Sequence, residues 1–207
     1  PNQRPKIERQ VIAATLNSLG ILNHKKSNYE KALGYFMQRV PYLREYETGA
    51  LATNYNNIGM IHEAIDNNEK DLEYFQKAIE LHRQIGNKVL EGGTLSNMGV
   101  IYFKLKQYDA ALKHYTESAT IMEALGNKGV LSILYENRGN VYKELERYNE
   151  AIDNYTQSLV LSKELNDDYG VASVYLNMGE AYLKTKAYTK AATHLQMSRA
   201  ASESIGA

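Results

Sequence analysis

The chain has 207 residues, 43% hydrophobic and 23% charged, a composition that supports a buried core and excludes a disordered or fibrous chain. Lys plus Arg and Asp plus Glu each number 24, so no global field draws it to nucleic acid or an anionic membrane. The absence of Cys excludes disulfides, thiolate metal sites and Cys nucleophiles; it fits either redox compartment, and the expected location is cytoplasmic.

Taken in chain order, apolar spacing predicts a first helix over 7–25, containing Leu16-Asn17-Ser18-Leu19-Gly20. No apolar run there or later approaches the roughly 20 residues that span a bilayer. The start at Pro1, without Met or a hydrophobic signal segment, suggests an excerpt or a processed chain. A second helix is predicted over 29–45, opening on Tyr29-Glu30-Lys31-Ala32-Leu33. Pro41 falls inside it, where a missing N–H and a clash with the preceding turn predict a kink or break.

The third helix, 49–65, carries Tyr55-Asn56-Asn57-Ile58-Gly59, and the fourth covers 69–85. Gly86-Asn87 then offers a left-handed stop followed by an N-cap. The fifth helix, 89–105, holds Leu95-Ser96-Asn97-Met98-Gly99 and a stripe of Leu95, Met98, Tyr102 and Leu105. After a tight turn at Lys106-Gln107 the sixth, 108–125, opens on Tyr108-Asp109-Ala110-Ala111-Leu112, and Gly126-Asn127 repeats the stop and cap.

Helices seven and eight, 129–145 and 148–165, carry Tyr135-Glu136-Asn137-Arg138-Gly139 and Tyr148-Asn149-Glu150-Ala151-Ile152. Helices nine and ten, 169–185 and 188–205, carry Tyr175-Leu176-Asn177-Met178-Gly179 and Tyr188-Thr189-Lys190-Ala191-Ala192. These blocks return at a shift of 40 residues, or 39 between the first two, and such a period indicates a solenoid. The units are approximately 7–46, 47–86, 87–126, 127–166 and 167–206, in a single array over 1–207.

Repeat three reads Met98-Gly99, Tyr102, Ala111, Tyr115; repeat four reads Arg138-Gly139, Tyr142, Ala151, Tyr155; repeat five reads Met178-Gly179, Tyr182, Ala191, Leu195. On these residues the chain resembles the tetratricopeptide repeat family, in the 40-residue variety seen in kinesin light chains, Pins-type adaptors and bacterial signalling proteins. The resemblance implies an all-α fold: a right-handed superhelical α-solenoid of five helix-turn-helix repeats whose first helices line a concave groove. Gly99 and Ala111 stand where paired helices come closest, and Tyr102 and Tyr115 fill the space between them. Repeat two departs from the pattern with Asp71 at the small position, and Asn23 and His62 stand where later repeats have Tyr, so looser packing is expected in this half.

The resemblance also implies that partners contact residues two, three and six before the helix Gly and others just after it. Two before stand Asn57, Asn97, Asn137 and Asn177, with Ser18 in repeat one. An Asn amide both donates and accepts, so it can pair with the backbone of an extended peptide without reading its side chains. Such residues can instead bond groups of the adjacent helix; their position on the flank of the packed stripe favours ligand contact.

The same phase adds Asn17, Ile21, His24 and Lys25 in repeat one, and Thr53, Asn56, Met60 and Glu63 in repeat two. It adds Ser96, Val100, Phe103 and Lys104 in repeat three, Glu136, Asn140, Lys143 and Glu144 in repeat four, and Ser173, Leu176, Glu180 and Lys184 in repeat five. This lining lacks a run of Lys and Arg that would grip a C-terminal carboxylate; it suits an extended segment with some hydrophobic side chains.

The five His residues show no pair at metal-ligand helical spacing, and no phosphate-cradling loop or nucleophile elbow is present. No catalytic residue, metal or cofactor is expected. The chain therefore reads as a scaffold that binds another protein or a peptide in the groove, within a larger signalling or adaptor protein, with no nucleic acid and no membrane insertion. Two alternatives stand beside it: a regulatory domain that senses an oligopeptide and controls an attached effector, and a self-assembly module that forms a homo-oligomer through the uncapped C-terminal helix.

Overall fold

A computed structural model describes residues 4–43, 47–65 and 68–206. Among the described residues there are ten helices and no strand. They are α1 (Arg4–Lys25), α2 (Tyr29–Leu43), α3 (Thr48–Ala64), α4 (Asn68–Gln84), α5 (Lys88–Lys104), α6 (Tyr108–Ala124), α7 (Lys128–Glu144), α8 (Tyr148–Glu164), α9 (Asp168–Lys184) and α10 (Tyr188–Ile205). The order is the predicted one. The break expected at Pro41 is absent: α2 passes through Pro41 as far as Leu43, where this described segment stops. The missing N–H of Pro41 removes a single backbone bond from the helix.

Two turn types alternate. Inside a repeat, Ser27, Lys106, Glu146 and Lys186 take φ of 57, 58, 59 and 60°. Between repeats the left-handed residue is Gly86, Gly126 or Asn166, at φ 69, 65 and 54°. The next residue then caps the following helix, as expected at Asn87 and Asn127 and, beyond expectation, at Asp167. Asn87 accepts from the Leu90 N–H at 3.2 Å, Asn127 from Val130 at 3.2 Å and Asp167 from Gly170 at 3.0 Å.

The chain divides into two compact units, Pro1–Ile101 and Tyr102–Ala207, with the boundary inside α5. In the first unit α2 packs on both α1 and α3. Its Ala32 and Phe36 form a cluster with Ile58 and Ile61 of α3, and its Leu43 joins Ala13 and Leu51. In the second unit α8 lies against α7 and α9. There Ala151 and Tyr155 pack with Val174, Met178 and Ala181.

Within a repeat, the Gly of the first helix faces an aromatic or Leu of the second. A methyl group added to Gly20 or Gly59 would sit 2.7 Å from the ring of Phe36 or Phe75, and one on Gly179 would sit 2.7 Å from Leu195. At Gly139 it would run into the Tyr155 ring. Asp71 and His62, expected to loosen the first half, are both buried, and Phe36, Ile58, Ile61 and Phe75 around them are fully enclosed. His62 stacks on Tyr74 with ring centres 5.6 Å apart.

Candidate functional site

In the first unit, Asn57 shares a cleft of about 340 Å³ with Ile21, His24, Phe36, Thr53 and Met60. Phe36 forms its buried floor, while Ile21 and Met60 remain exposed at its sides. The Asn57 amide is half-buried and forms no side-chain hydrogen bond with any described residue. Asn97, one repeat later, is engaged. Its Nδ2 donates to Asn56 Oδ1 at 3.3 Å, and Thr94 Oγ1 donates to the same oxygen at 3.1 Å.

The same alternation appears in the second unit. Asn177 Nδ2 donates to Glu136 Oε1 at 2.9 Å, and its Oδ1 accepts from Lys143 Nζ at 3.2 Å. Lys143 also pairs with Glu180 at 2.7 Å, and Ser173 donates to Glu136 at 2.5 Å. Asn137, half-buried, forms no side-chain hydrogen bond with any described residue. The four Asn positions therefore separate into two kinds. Asn97 and Asn177 bond the residue three before the Gly of the preceding repeat, Asn56 and Glu136, whereas Asn17, at that place before Asn57, is taken by Arg39.

Other predicted residues are tied to the fold. Asn140 Oδ1 accepts the hydroxyl of Tyr155 at 2.8 Å, which satisfies the polar tip of a buried ring. Burial, reinforced by Glu136, Glu180 and Glu144, pushes that phenol far above its ordinary pKa, so it stays protonated. Asn17 Oδ1 accepts from Arg39 Nη1 at 2.9 Å, and Ser18 bonds the Ala14 carbonyl of its own helix at 3.1 Å. Met60 accepts a contact from Asn56 Nδ2 at 3.5 Å. Ser96 and Val100 are half-buried, Lys104 is exposed, and the Phe103 ring lies 5.9 Å from that of Tyr108.

Two buried charges were missed from sequence. Arg39 Nε donates to the Ala13 carbonyl at 3.1 Å, and its Nη1 reaches Asn54, which in turn donates to the Phe36 carbonyl at 2.8 Å. Burial lowers the Arg39 pKa, partly offset by Glu47. Ser118, Ser158 and Ser198 stand at the same register, all buried, so an Arg among them was the available signal. Glu91 stands in the column of Leu51 and Leu131. Burial raises its pKa, but bonds from Lys88 Nζ and Arg83 Nε, each at 2.8 Å, outweigh this and hold the carboxyl below its usual range.

Chemically these faces offer amides, hydroxyls and one Lys–Glu pair beside apolar side chains, which suits hydrogen bonding to a polypeptide. Among the described residues, no three His, Asp or Glu converge as a metal site, and no helix is long and apolar enough to cross a membrane.

The tetratricopeptide repeat family model matches residues 50–128 and 129–204. No curated protein sequence matches the chain. Several solved structures share its fold. BtubC (BKLC) from P. vanneervenii superposes with a TM-score of 0.87 at 15% identity, covering 99% of this chain and 89% of that one. A putative kinesin light chain with TPR-like repeats from Podospora anserina gives 0.77 at 10% identity, covering 93% and 95%. The apo form of RapI gives 0.74 at 15% identity, covering 94% and 84%.

Proposed function

The chain belongs to the tetratricopeptide repeat family, and on that premise we propose that it is a protein-interaction scaffold whose first helices hold a segment of another polypeptide. The observation that carries the reading is the pair of half-buried amides, Asn57 and Asn137, which stand on those helices with no side-chain bond among the described residues. A half-buried amide without a protein partner is ready to take the N–H and C=O of a peptide backbone. Around Asn57 the apolar walls of Ile21 and Met60 add room for a hydrophobic side chain. Asn97 and Asn177 act instead as joints between neighbouring repeats.

Stacking through the last helix gains no support from its surface. α10 carries Arg199, with its side chain 81% exposed and paired to Glu203, at the register where α8 has Leu159. Ala192 likewise replaces Ile152.

The test is a set of Asn→Ala variants assayed against an immobilised peptide library and for thermal stability. An amide contact is worth about 1 kcal/mol, so Asn57→Ala and Asn137→Ala should each weaken capture several-fold with an unchanged Tm. Asn97→Ala and Asn177→Ala should lower Tm. Capture unaltered by both Asn57→Ala and Asn137→Ala would remove the first-helix faces as the site.

A further inference from the structure

Resting on the reading that the first helices hold a polypeptide, we propose that a notch beside Gly93 takes an uncharged carboxamide side chain, Asn or Gln, of that polypeptide. The notch lies in the first unit, where Thr53 and Asn56 of α3, His82 of α4 and Gly93, Thr94 and Asn97 of α5 line a cavity of about 180 Å³. That is the volume of about six waters, room for one side chain rather than a separate ligand. Thr53 also lines the apolar cleft at Asn57, so the two cavities adjoin.

Gly93 gives the first sign. It sits inside α5, where Gly weakens a helix relative to Ala, and nothing in the surrounding fold requires it. A methyl group added there would meet no atom within 4 Å, and among the described glycines only Gly86 and Gly126 take a positive φ. The same register holds Thr53, Ile133 and Ser173 in other repeats, so the notch is the space of a missing side chain.

His82 gives a second, independent sign. It is 1% exposed, and its Nδ1 is sealed from water without a hydrogen-bond partner among the described residues. Leaving such a group unpaired costs stability, and the next repeat has the buried, apolar Met122 at this register. Burial lowers the His82 pKa, against the pull of Glu91, so at neutral pH the ring is uncharged and offers one donor and one acceptor nitrogen.

The lining selects the occupant. Asn97 gives one N–H to Asn56 Oδ1, and Thr94 shares its hydroxyl proton between that oxygen and the Leu90 carbonyl. Asn97 Oδ1 and the second N–H of Asn97 are left over, and the Asn56 amide protons meet only the Met60 sulfur, at 3.5 Å. This mixture of donors and acceptors matches a carboxamide, which carries two N–H donors and a carbonyl. An aliphatic side chain would leave those groups unpaired. An ionised one would be desolvated without a free counter-charge, since Arg83 and Lys88 are bonded to Glu91.

The experiment titrates the ¹⁵N-labelled 207-residue chain with propionamide, propionate and propylammonium and follows amide chemical shifts by NMR. Propionamide should shift the Gly93 backbone and Asn97 side-chain signals, and at equal concentration the two ions should shift them about fivefold less or not at all. Gly93→Thr, which puts a hydroxyl into the space, should remove the response with Tm no lower than the parent's. Gly93→Ala should raise Tm by about 2–4 °C. His82→Met should weaken the response about fivefold without lowering Tm. On an immobilised peptide library the parent should favour Asn or Gln at one position about tenfold over Leu or Glu there. Gly93→Thr should erase that preference, whereas Asn57→Ala should weaken capture of every peptide alike. A propionamide response that is absent, matched by propionate, or unchanged in both Gly93→Thr and His82→Met overturns the proposal. A library without any carboxamide preference overturns it too, even where capture depends on Asn57. Capture indifferent to Asn57→Ala and Asn137→Ala, with the propionamide response and the preference intact, upholds the notch and overturns the part assigned to those two amides.

Discussion

At the residue scale Gly139 against Tyr155 is a tight point of the second unit. An added methyl meets the ring itself, and the ring is pinned by its bond to Asn140, so it has little freedom to move aside. Gly139→Ala should therefore destabilise by about 1–3 kcal/mol through overpacking, read as a lower midpoint in urea with the slope unchanged. Its neighbour Arg138 predicts the opposite sign. The Arg138 guanidinium lies 5.8 Å from the Tyr135 ring centre, while Nε is buried without a hydrogen-bond partner. Other repeats have Leu19, Ile58, Met98 and Met178 there. Arg138→Met removes the stranded donor and keeps the packed stem, so it should be neutral or stabilising by up to about 1–3 kcal/mol in the same titration.

At the scale of elements, the left-handed turn residues are the weak links. Glu146 closes α7 at φ 59° and is exposed, so its side chain supplies nothing that offsets the steric strain of that conformation. Glu146→Gly should raise stability by about 1 kcal/mol, seen as a higher Tm in calorimetry. Helix order and helix ends were legible because each signal recurs, and a cap such as Asn127 is confirmed by Asn87 one period earlier. Pro41 does not break α2, which continues at least to Leu43, because one missing N–H leaves the other backbone bonds of the helix in place. The Asn ladder was legible as a pattern but not as a function. Whether a given amide is engaged depends on Asn56 or Glu136 across a packed interface, a contact that no helical phase reveals. Arg39 and Asn17 were hidden for the same reason, their bond joining two helices 22 positions apart in sequence.

At the scale of the whole molecule, both His residues with depressed pKa lie in the first unit. Burial lowers His62, helped by Lys70 and opposed by Glu73, and burial lowers His82 against the pull of Glu91. A group whose folded pKa is lowered contributes stability above its unfolded value, near 6.5, and loses it as pH falls through the folded one. Acidification from about pH 7.5 to about pH 5 should therefore lower Tm, before the depressed carboxylates at Glu73, Glu91 and Glu150 begin to protonate. His62→Phe should shrink the shift between the two melts, because the stack on Tyr74 survives while the titrating ring does not.

The joint between repeats also bears on how such a chain can change over generations. In the second unit, Gly139 meets Tyr155 and Gly179 meets Leu195 with the same 16-residue spacing, and Asn127 and Asp167 cap their helices in the same way. Any two cuts placed 40 residues apart in this half thus leave ends that already match, wherever the first cut falls. Slippage of the gene by whole repeats would lengthen or shorten the protein without inventing a new contact, whereas an insertion of one or two residues inside a helix would turn every later side chain off its partner. The number of repeats is thereby freer to vary than the identity of almost any residue within one.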